Sequence, residues 1–112
     1  DQCLQVIAAL LQAEFPRETD LVARYGGEEF VILVTHITAK ALSNKLHRLK
    51  AAIETTAMEL HQQQPFNVTA SIGASFAGAD FSHQAEDWIR EADSCLYQAK
   101  DEGRNRVRIR QF

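Results

Sequence analysis

Arg24-Tyr25-Gly26-Gly27-Glu28-Glu29-Phe30, continued at once by the apolar run Val31-Ile32-Leu33-Val34, is the stretch on which the reading of this chain turns. A Gly-Gly pair adopts the positive φ values of a short hairpin loop without steric cost, so Leu21–Tyr25 and Glu29–Val34 read as a β-hairpin with Gly26 and Gly27 at its tip. The tip then carries two carboxylates where the backbone has no side chain in the way, a suitable place for a phosphate and a cation. Carboxylate oxygens are hard ligands suited to Mg²⁺, which takes one or two of them and completes its shell with water and substrate phosphates. Consecutive strand residues face opposite sides of a sheet, so Glu28 and Glu29 serve one site only if the turn twists the first away from the strand direction. On these residues alone, a plain hairpin turn followed by solvated acids is the favoured account of the pattern.

Outward from the hairpin, helices and strands alternate. Upstream, Leu4, Ile7, Leu11 and Phe15 define an amphipathic helix over Gln2–Phe15 that Pro16 ends. Arg17-Glu18-Thr19-Asp20 connects it to the hairpin, with Arg17 and Asp20 spaced as a surface ion pair of small energetic weight. Downstream, Thr38 caps a long helix with the stripe Leu42, Leu46, Leu49, Ile53, Ala57 and Leu60, stopped at Gln62-Gln63-Gln64-Pro65. Phe66, Val68, Ala70, Ile72, Ala74 and Phe76 alternate with small or polar residues as one strand. Its polar face either leaves room for something to lie over it or is simply solvated. Gly78-Ala79-Asp80 forms a loop, and Ser82 caps a helix with Glu86 and Asp87 in its first turn. Its buried stripe is expected to be Ala85, Trp88, Ile89, Ala92, Leu96 and Ala99, with Trp88 and Met58 as core residues. Lys100 lies in the last turn and Gly103 just beyond, the usual left-handed terminator. Val107 and Ile109 alternate with Arg106, Arg108 and Arg110 in a last strand, where arginines protect an exposed edge. The order α, β-hairpin, α, β, α, β predicts an α/β or α+β sandwich, helices covering a mainly antiparallel sheet.

The 112 residues, 46% of them hydrophobic, suffice for one compact domain and not for two. The formal charge is −3, but five basic and two acidic residues follow from Lys100 on, against seven and thirteen before it. An acidic domain with a basic end argues against binding a nucleic-acid polymer or a membrane and suggests a small anionic ligand. No apolar run approaches the roughly 20 residues of a membrane span, and no signal-like segment opens the chain, so a cytoplasmic location is expected. Cys3 and Cys95 read as buried reduced thiols. His36, His47, His61 and His83 have no partners at ligand spacing and are assigned no catalytic role. Asp1 is not an initiator, so the chain is read as an excerpt of a longer protein.

Gly26-Gly27-Glu28-Glu29-Phe30 resembles the signature of the GGDEF family, the diguanylate cyclases, in its variant with Glu at the third position. Arg17-Glu18-Thr19-Asp20 resembles that family's RxxD product-inhibition motif, and Ser71-Ile72-Gly73 its S-I-G strand. Ala92-Asp93, Leu96-Tyr97-Gln98-Ala99-Lys100 and Gly103-Arg104-Asn105 resemble its closing block. Four motifs in the family's order span the chain. The resemblance implies a nucleotide-cyclase, ferredoxin-like architecture and the condensation of two GTP molecules into cyclic di-GMP and pyrophosphate across a homodimer, with Mg²⁺ or Mn²⁺. It implies that Glu28 is a metal ligand and that Glu29 supports the same catalytic turn. It further implies that Gly26 and Gly27 admit the nucleotide, that Lys100 and Arg104 clamp its terminal phosphates, and that Asp1 reads the guanine edge. Arg17 and Asp20 would bind product allosterically. An upstream sensory or regulatory domain is the expected partner within the parent protein.

The chain departs from the family pattern at its start. It opens at the last Asp of a G-H-x-x-G-D segment, without the preceding strand and its D-x-D-x-F-K pattern. The 112 residues are therefore expected to form a single, N-terminally truncated domain that does not make cyclic di-GMP alone, and the parent protein to be an enzyme if that preceding segment is intact. The alternative is a degenerate module that binds GTP or cyclic di-GMP without turnover.

Overall fold

The computed structural model describes residues 2–61, 63–78 and 84–111. Its element order is α1 (Gln2–Glu14), β1 (Leu21–Gly26), β2 (Glu29–Leu33), α2 (Ala39–Thr55), β3 (Ile72–Phe76), α3 (Ala85–Asp101) and β4 (Val107–Gln111). The chain divides into two compact units, Asp1–Val68 and Thr69–Phe112.

In the first unit, α1 packs on α2 through one apolar face of each, and β1 pairs antiparallel with β2. Leu11, Phe15, Leu42, Leu46, Leu49, Ile53 and Met58 are buried, and each such side chain contributes about 1.5–3 kcal/mol relative to exposure. Lys45 ties the two helices together: its Nζ donates to the Glu14 carbonyl at 2.7 Å and lies 5.4 Å from the centre of the Phe15 ring. That places a cation on the carbonyl end of α1, where the helix dipole favours one.

Thr38 caps α2 as expected, its Oγ1 accepting from the Ala41 N–H at 3.1 Å. The helix stops at Thr55, however, not near Gln62, and leaves Ala57 and Leu60 outside it. The hydroxyls of Thr55 and Thr56 fold back on the carbonyls of Ala51 and Ala52 at 2.8 and 2.5 Å. Such back-bonding in β-branched residues competes with the helix ladder. Met58 then takes an isolated antiparallel bridge to Phe66, which buries it fully.

That bridge also divides the strand expected over Phe66–Phe76. Phe66 pairs with Met58, whereas the ladder to β4 begins only at Ile72. Period-two alternation records which side of an extended segment is apolar; a strand also needs a partner for its backbone groups.

The second unit is a β-α-β unit. β3 pairs parallel with β4, from Ile72 opposite Val107 to Phe76 opposite Gln111, because α3 carries the chain back between them. The described strand ladders are thus one antiparallel and one parallel, beside the isolated antiparallel bridge, within a mixed α/β chain. What lies over the small polar face of β3 is α3 itself. A Cβ on Gly73 would stand 2.1 Å from the Leu96 nitrogen and 2.4 Å from the Ala92 oxygen, so helix backbone rests directly on strand backbone. One residue pair stitches the same contact twice: Ser75 Oγ donates to the Trp88 carbonyl at 2.8 Å, and Trp88 Nε1 donates to the Ser75 carbonyl at 3.2 Å.

Two expectations for α3 change. Ile89 is 45% exposed and Ala85 is exposed, so both leave the expected buried stripe, whereas Cys95 is buried with Ala99 as expected. Gln84 is the N-cap residue, its N–H donating to Asp87 at 3.2 Å; Ser82, expected in that role, lies outside the described residues, as does His83. Cys3 is half-buried where burial was expected, and both cysteines are free thiols. On β4, Arg110 pairs with Glu91 of α3 and Arg108 with Glu102, the residue that caps its end. No helix among the described residues is long and apolar enough to cross a membrane.

Candidate functional site

The hairpin forms, with its turn one residue later than the glycine pair suggested. Arg24 stands opposite Phe30 and Gly26 opposite Glu29, so Tyr25 is an extra residue in β1 and Gly27-Glu28 is the turn. Such a bulge adds local twist and re-aims the residues that follow. Gly27 takes a φ of +52°, the left-handed region in which an L side chain is strained. Glu28 therefore sits off the strand, and the objection that two consecutive strand residues face opposite ways does not apply to Glu28 and Glu29. Both acids are exposed, and a Cβ built on Gly26 or Gly27 would meet nothing within 4 Å.

Arg24 holds this turn. Its Nε and Nη2 both donate to the Gly27 carbonyl, at 2.8 and 2.6 Å. A guanidinium fork on one oxygen leaves little freedom at the residue just before Glu28. Arg24 is a residue of the candidate site that its sequence context does not single out. The sequence signal is an arginine three residues before a turn glycine; the bulge that turns the Gly27 carbonyl back toward it is seen only in the structure.

At the other end of the hairpin, Arg17 and Asp20 come together as the spacing predicted, in a different setting from a solvated pair. The Asp20 side chain is 1% exposed against 40% for Arg17, and Arg17 Nη2 donates to Asp20 Oδ1 at 3.0 Å. Arg17 Nε and its backbone N–H add further bonds to the same carboxylate. The same guanidinium donates to the carbonyls of Thr35 at 2.6 Å and His36 at 3.3 Å. Arg17 thereby joins the residues entering β1 to those leaving β2. These bonds, the side-chain bond first, hold the Asp20 carboxyl below its ordinary value of 3.8, against a smaller opposing effect of burial.

Lys100 and Arg104 belong to the second unit, at the end of α3. Lys100 lies in the last turn, and Gly103, with φ +119°, ends the helix as expected. The Gly103 N–H bonds the Lys100 carbonyl at 3.3 Å and the Arg104 N–H the Ala99 carbonyl at 2.9 Å, the paired bonds of a Schellman close. Arg104 is exposed. Asp1 lies outside the described residues. Among the described residues no three of His, Cys, Asp and Glu gather as metal ligands.

Residues 1–106 match the family model described as diguanylate cyclase, GGDEF domain. Diguanylate cyclase A of Treponema denticola is 33% identical over 109 residues, 97% of this chain and 29% of that protein. Diguanylate cyclase DgcP of Pseudomonas aeruginosa is 36% identical over 110 residues, 97% of this chain and 16% of that protein. The chain thus spans less than a third of the length of either relative. Among solved structures, diguanylate cyclase SiaD of Pseudomonas aeruginosa, in complex with its activator SiaC, superposes with a TM-score of 0.83. Its identity is 29%, over 96% of this chain and 40% of that one. The GGDEF domain of DgcB from Caulobacter crescentus, in complex with c-di-GMP, matches in fold with a TM-score of 0.86 at 24% identity, over 96% of this chain and 63% of that one. These neighbours carry the mixed α/β cyclase architecture that the sequence predicts.

Proposed function

The chain belongs to the diguanylate cyclase GGDEF-domain family, and on that premise we propose that it is the catalytic domain of a protein that condenses two GTP into cyclic di-GMP and two pyrophosphates. The observation that carries this reading is the Gly27-Glu28 turn: exposed, glycine-built and clamped by Arg24, with a second carboxylate beside it. In each half-reaction a 3′-hydroxyl attacks the other nucleotide's α-phosphate, the bond to the β-phosphate breaks, and pyrophosphate leaves. Two such events close the ring, so two copies of the domain must meet, each holding one GTP.

Such chemistry asks a protein chiefly for positioning and charge neutralisation. Gly26 and Gly27 let the nucleotide approach the backbone, and Lys100 and Arg104 neutralise its terminal phosphates as pyrophosphate departs. Asp1 accepts from the guanine edge. Glu28 presents the hard oxygen donors that Mg²⁺ or Mn²⁺ prefers, and Glu29 supports the turn. With few protein carboxylates at hand, the rest of such a shell would come from phosphates and water, as Mg²⁺ accepts. A divalent ion bound there would offset charge developing on the phosphates. Arg17 and Asp20 form a separate site for the product, which slows turnover as it accumulates. The 112 residues act as one domain that needs a further strand to turn over. The exposure of Leu21 (57%) and Leu33 (42%) on the hairpin supports that part of the reading. An upstream domain supplies the regulatory input.

The test is GTP turnover by the whole protein in Mg²⁺, with product identified by mass spectrometry. Glu28→Gln removes a ligand charge and should lower kcat by about 10²–10³-fold. Unchanged turnover in that variant would overturn the assignment. A wild-type protein that binds GTP or cyclic di-GMP and makes no product would be a receptor instead.

A further inference from the structure

The bend that carries Arg104 is backbone-strained. Arg104 and Asn105 follow Gly103 with φ values of +62° and +46°, two successive L residues in the left-handed region. Asn tolerates that region because its short polar side chain finds local hydrogen bonds; Arg has no such relief. Strained backbone of this kind persists only where its surroundings over-determine it, and it concentrates where a side chain must be aimed.

The bonds that fix the bend come from two sides. From the helix end, the Ala99 carbonyl accepts the Arg104 N–H at 2.9 Å; from the strand side, the Ile72 N–H donates to the Arg106 carbonyl at 2.9 Å. Between them, Ser71 Oγ accepts the Asn105 N–H at 3.2 Å in a part-buried setting. Ser71 immediately precedes β3, and Gly73, two residues on, is pressed against the α3 backbone with no room for a Cβ. The hydroxyl is therefore fixed relative to the helix that carries Lys100 and leads into the Arg104 bend, on a lever only two residues long. Arg104 stands directly between a backbone bond to that helix and the bond to Ser71.

We infer that Ser71 is a positioning residue for Arg104: its hydroxyl holds the Gly103-Arg104-Asn105 bend in its left-handed form and so aims the guanidinium at a nucleotide's phosphates. The inference rests on the reading of Arg104 as a phosphate clamp. Without the hydroxyl, the Asn105 N–H loses its acceptor and the bend relaxes toward ordinary backbone, taking the Arg104 side chain with it.

The test uses the whole protein and guanosine 5′-[α,β-methylene]triphosphate, whose α–β bridge cannot be broken, with binding measured by calorimetry and folding by thermal melting. Ser71→Thr and Ser71→Val have nearly equal volume and differ by the hydroxyl. Ser71→Thr should bind like wild type, whereas Ser71→Val should bind about three- to tenfold more weakly. Arg104→Ala should weaken binding by about tenfold or more. Because Ser71 acts through Arg104, adding Ser71→Val to Arg104→Ala should cost nothing further, a non-additivity that a merely destabilising role would not produce. Wild-type affinity in Ser71→Val, or losses that multiply in the double variant, would overturn the inference and leave the clamp standing. Wild-type affinity in Arg104→Ala would overturn the clamp and this inference with it.

Discussion

The Arg24 guanidinium and the Gly27 carbonyl form a closed fork across the hairpin turn, with both donors within 2.8 Å of one oxygen. The residue that needs a positive φ is thus also the one whose carbonyl is pinned, and Glu28 follows it directly. Arg24→Ala should leave the protein folded, since the side chain is exposed, while freeing the turn. Misplacement of a catalytic group by about 1 Å is enough to cost about 10²-fold in rate, so kcat should fall by that order with little change in melting temperature. Arg24→Lys should recover only part of the rate, because an ammonium cannot reproduce the two-nitrogen fork. Steady-state kinetics with GTP on the whole protein, beside a melting curve, decides it; full activity in Arg24→Ala would remove Arg24 from the turn's support.

Much of this was legible in the sequence, for identifiable reasons. The hairpin, the Thr38 cap and the Gly103 terminator depend on local backbone preferences, which a few residues express without help from distant parts of the chain. The turn fell one residue late because a bulge at Tyr25 leaves no trace in composition. The end of α2 and the start of β3 depend on where Met58 and Ile72 find partners, and that is information held by other segments. Asp20 shows the same limit: a three-residue step predicted its partner and not its enclosure, which the Thr35 and His36 carbonyls help to create by holding Arg17 in place.

Cysteine reactivity should separate the two thiols. Burial pushes the Cys95 thiol above its ordinary value of 9.0, so it remains protonated near neutral pH and is shielded as well. Cys3 is half-buried on α1. Iodoacetamide at pH about 8 should label Cys3 in the native protein and reach Cys95 only after denaturant is added, as read by peptide mass mapping. Equal native labelling would contradict the burial of Cys95.

Acid should act on the Arg17–Asp20 pair late. A carboxyl whose folded pKa lies below its unfolded value of 3.8 contributes stability that is fully present above 3.8 and is lost as the pH falls through the folded value. Asp20 should therefore titrate below 3.8 in a carboxyl-detected NMR experiment, and Arg17→Ala should move that midpoint upward by removing the principal bond. The stability difference between wild type and Arg17→Ala should narrow over the same acid window. In the whole protein, the same substitution should raise the cyclic di-GMP concentration needed for half-inhibition by about tenfold or more, by removing a charged donor. Unaltered inhibition would detach Arg17 from product binding.

Gly73 is where the second unit tolerates least. Two backbone atoms of α3 lie within 2.4 Å of the position a Cβ would take, and neither is the far end of a flexible side chain that could swing away. Gly73→Ala must therefore push α3 off β3, break the reciprocal Ser75–Trp88 bonds and open the sites of Cys95 and Ala99. Overpacking usually costs 1–3 kcal/mol where side chains can adjust, and here backbone must move, so a loss of about 3 kcal/mol or more is expected. Ala74→Gly, one residue along the same strand, should cost only about 1 kcal/mol, through lost burial and added chain freedom. Chemical denaturation of both variants separates the two cases: a Gly73→Ala protein as stable as Ala74→Gly would mean that α3 does not rest on the β3 backbone.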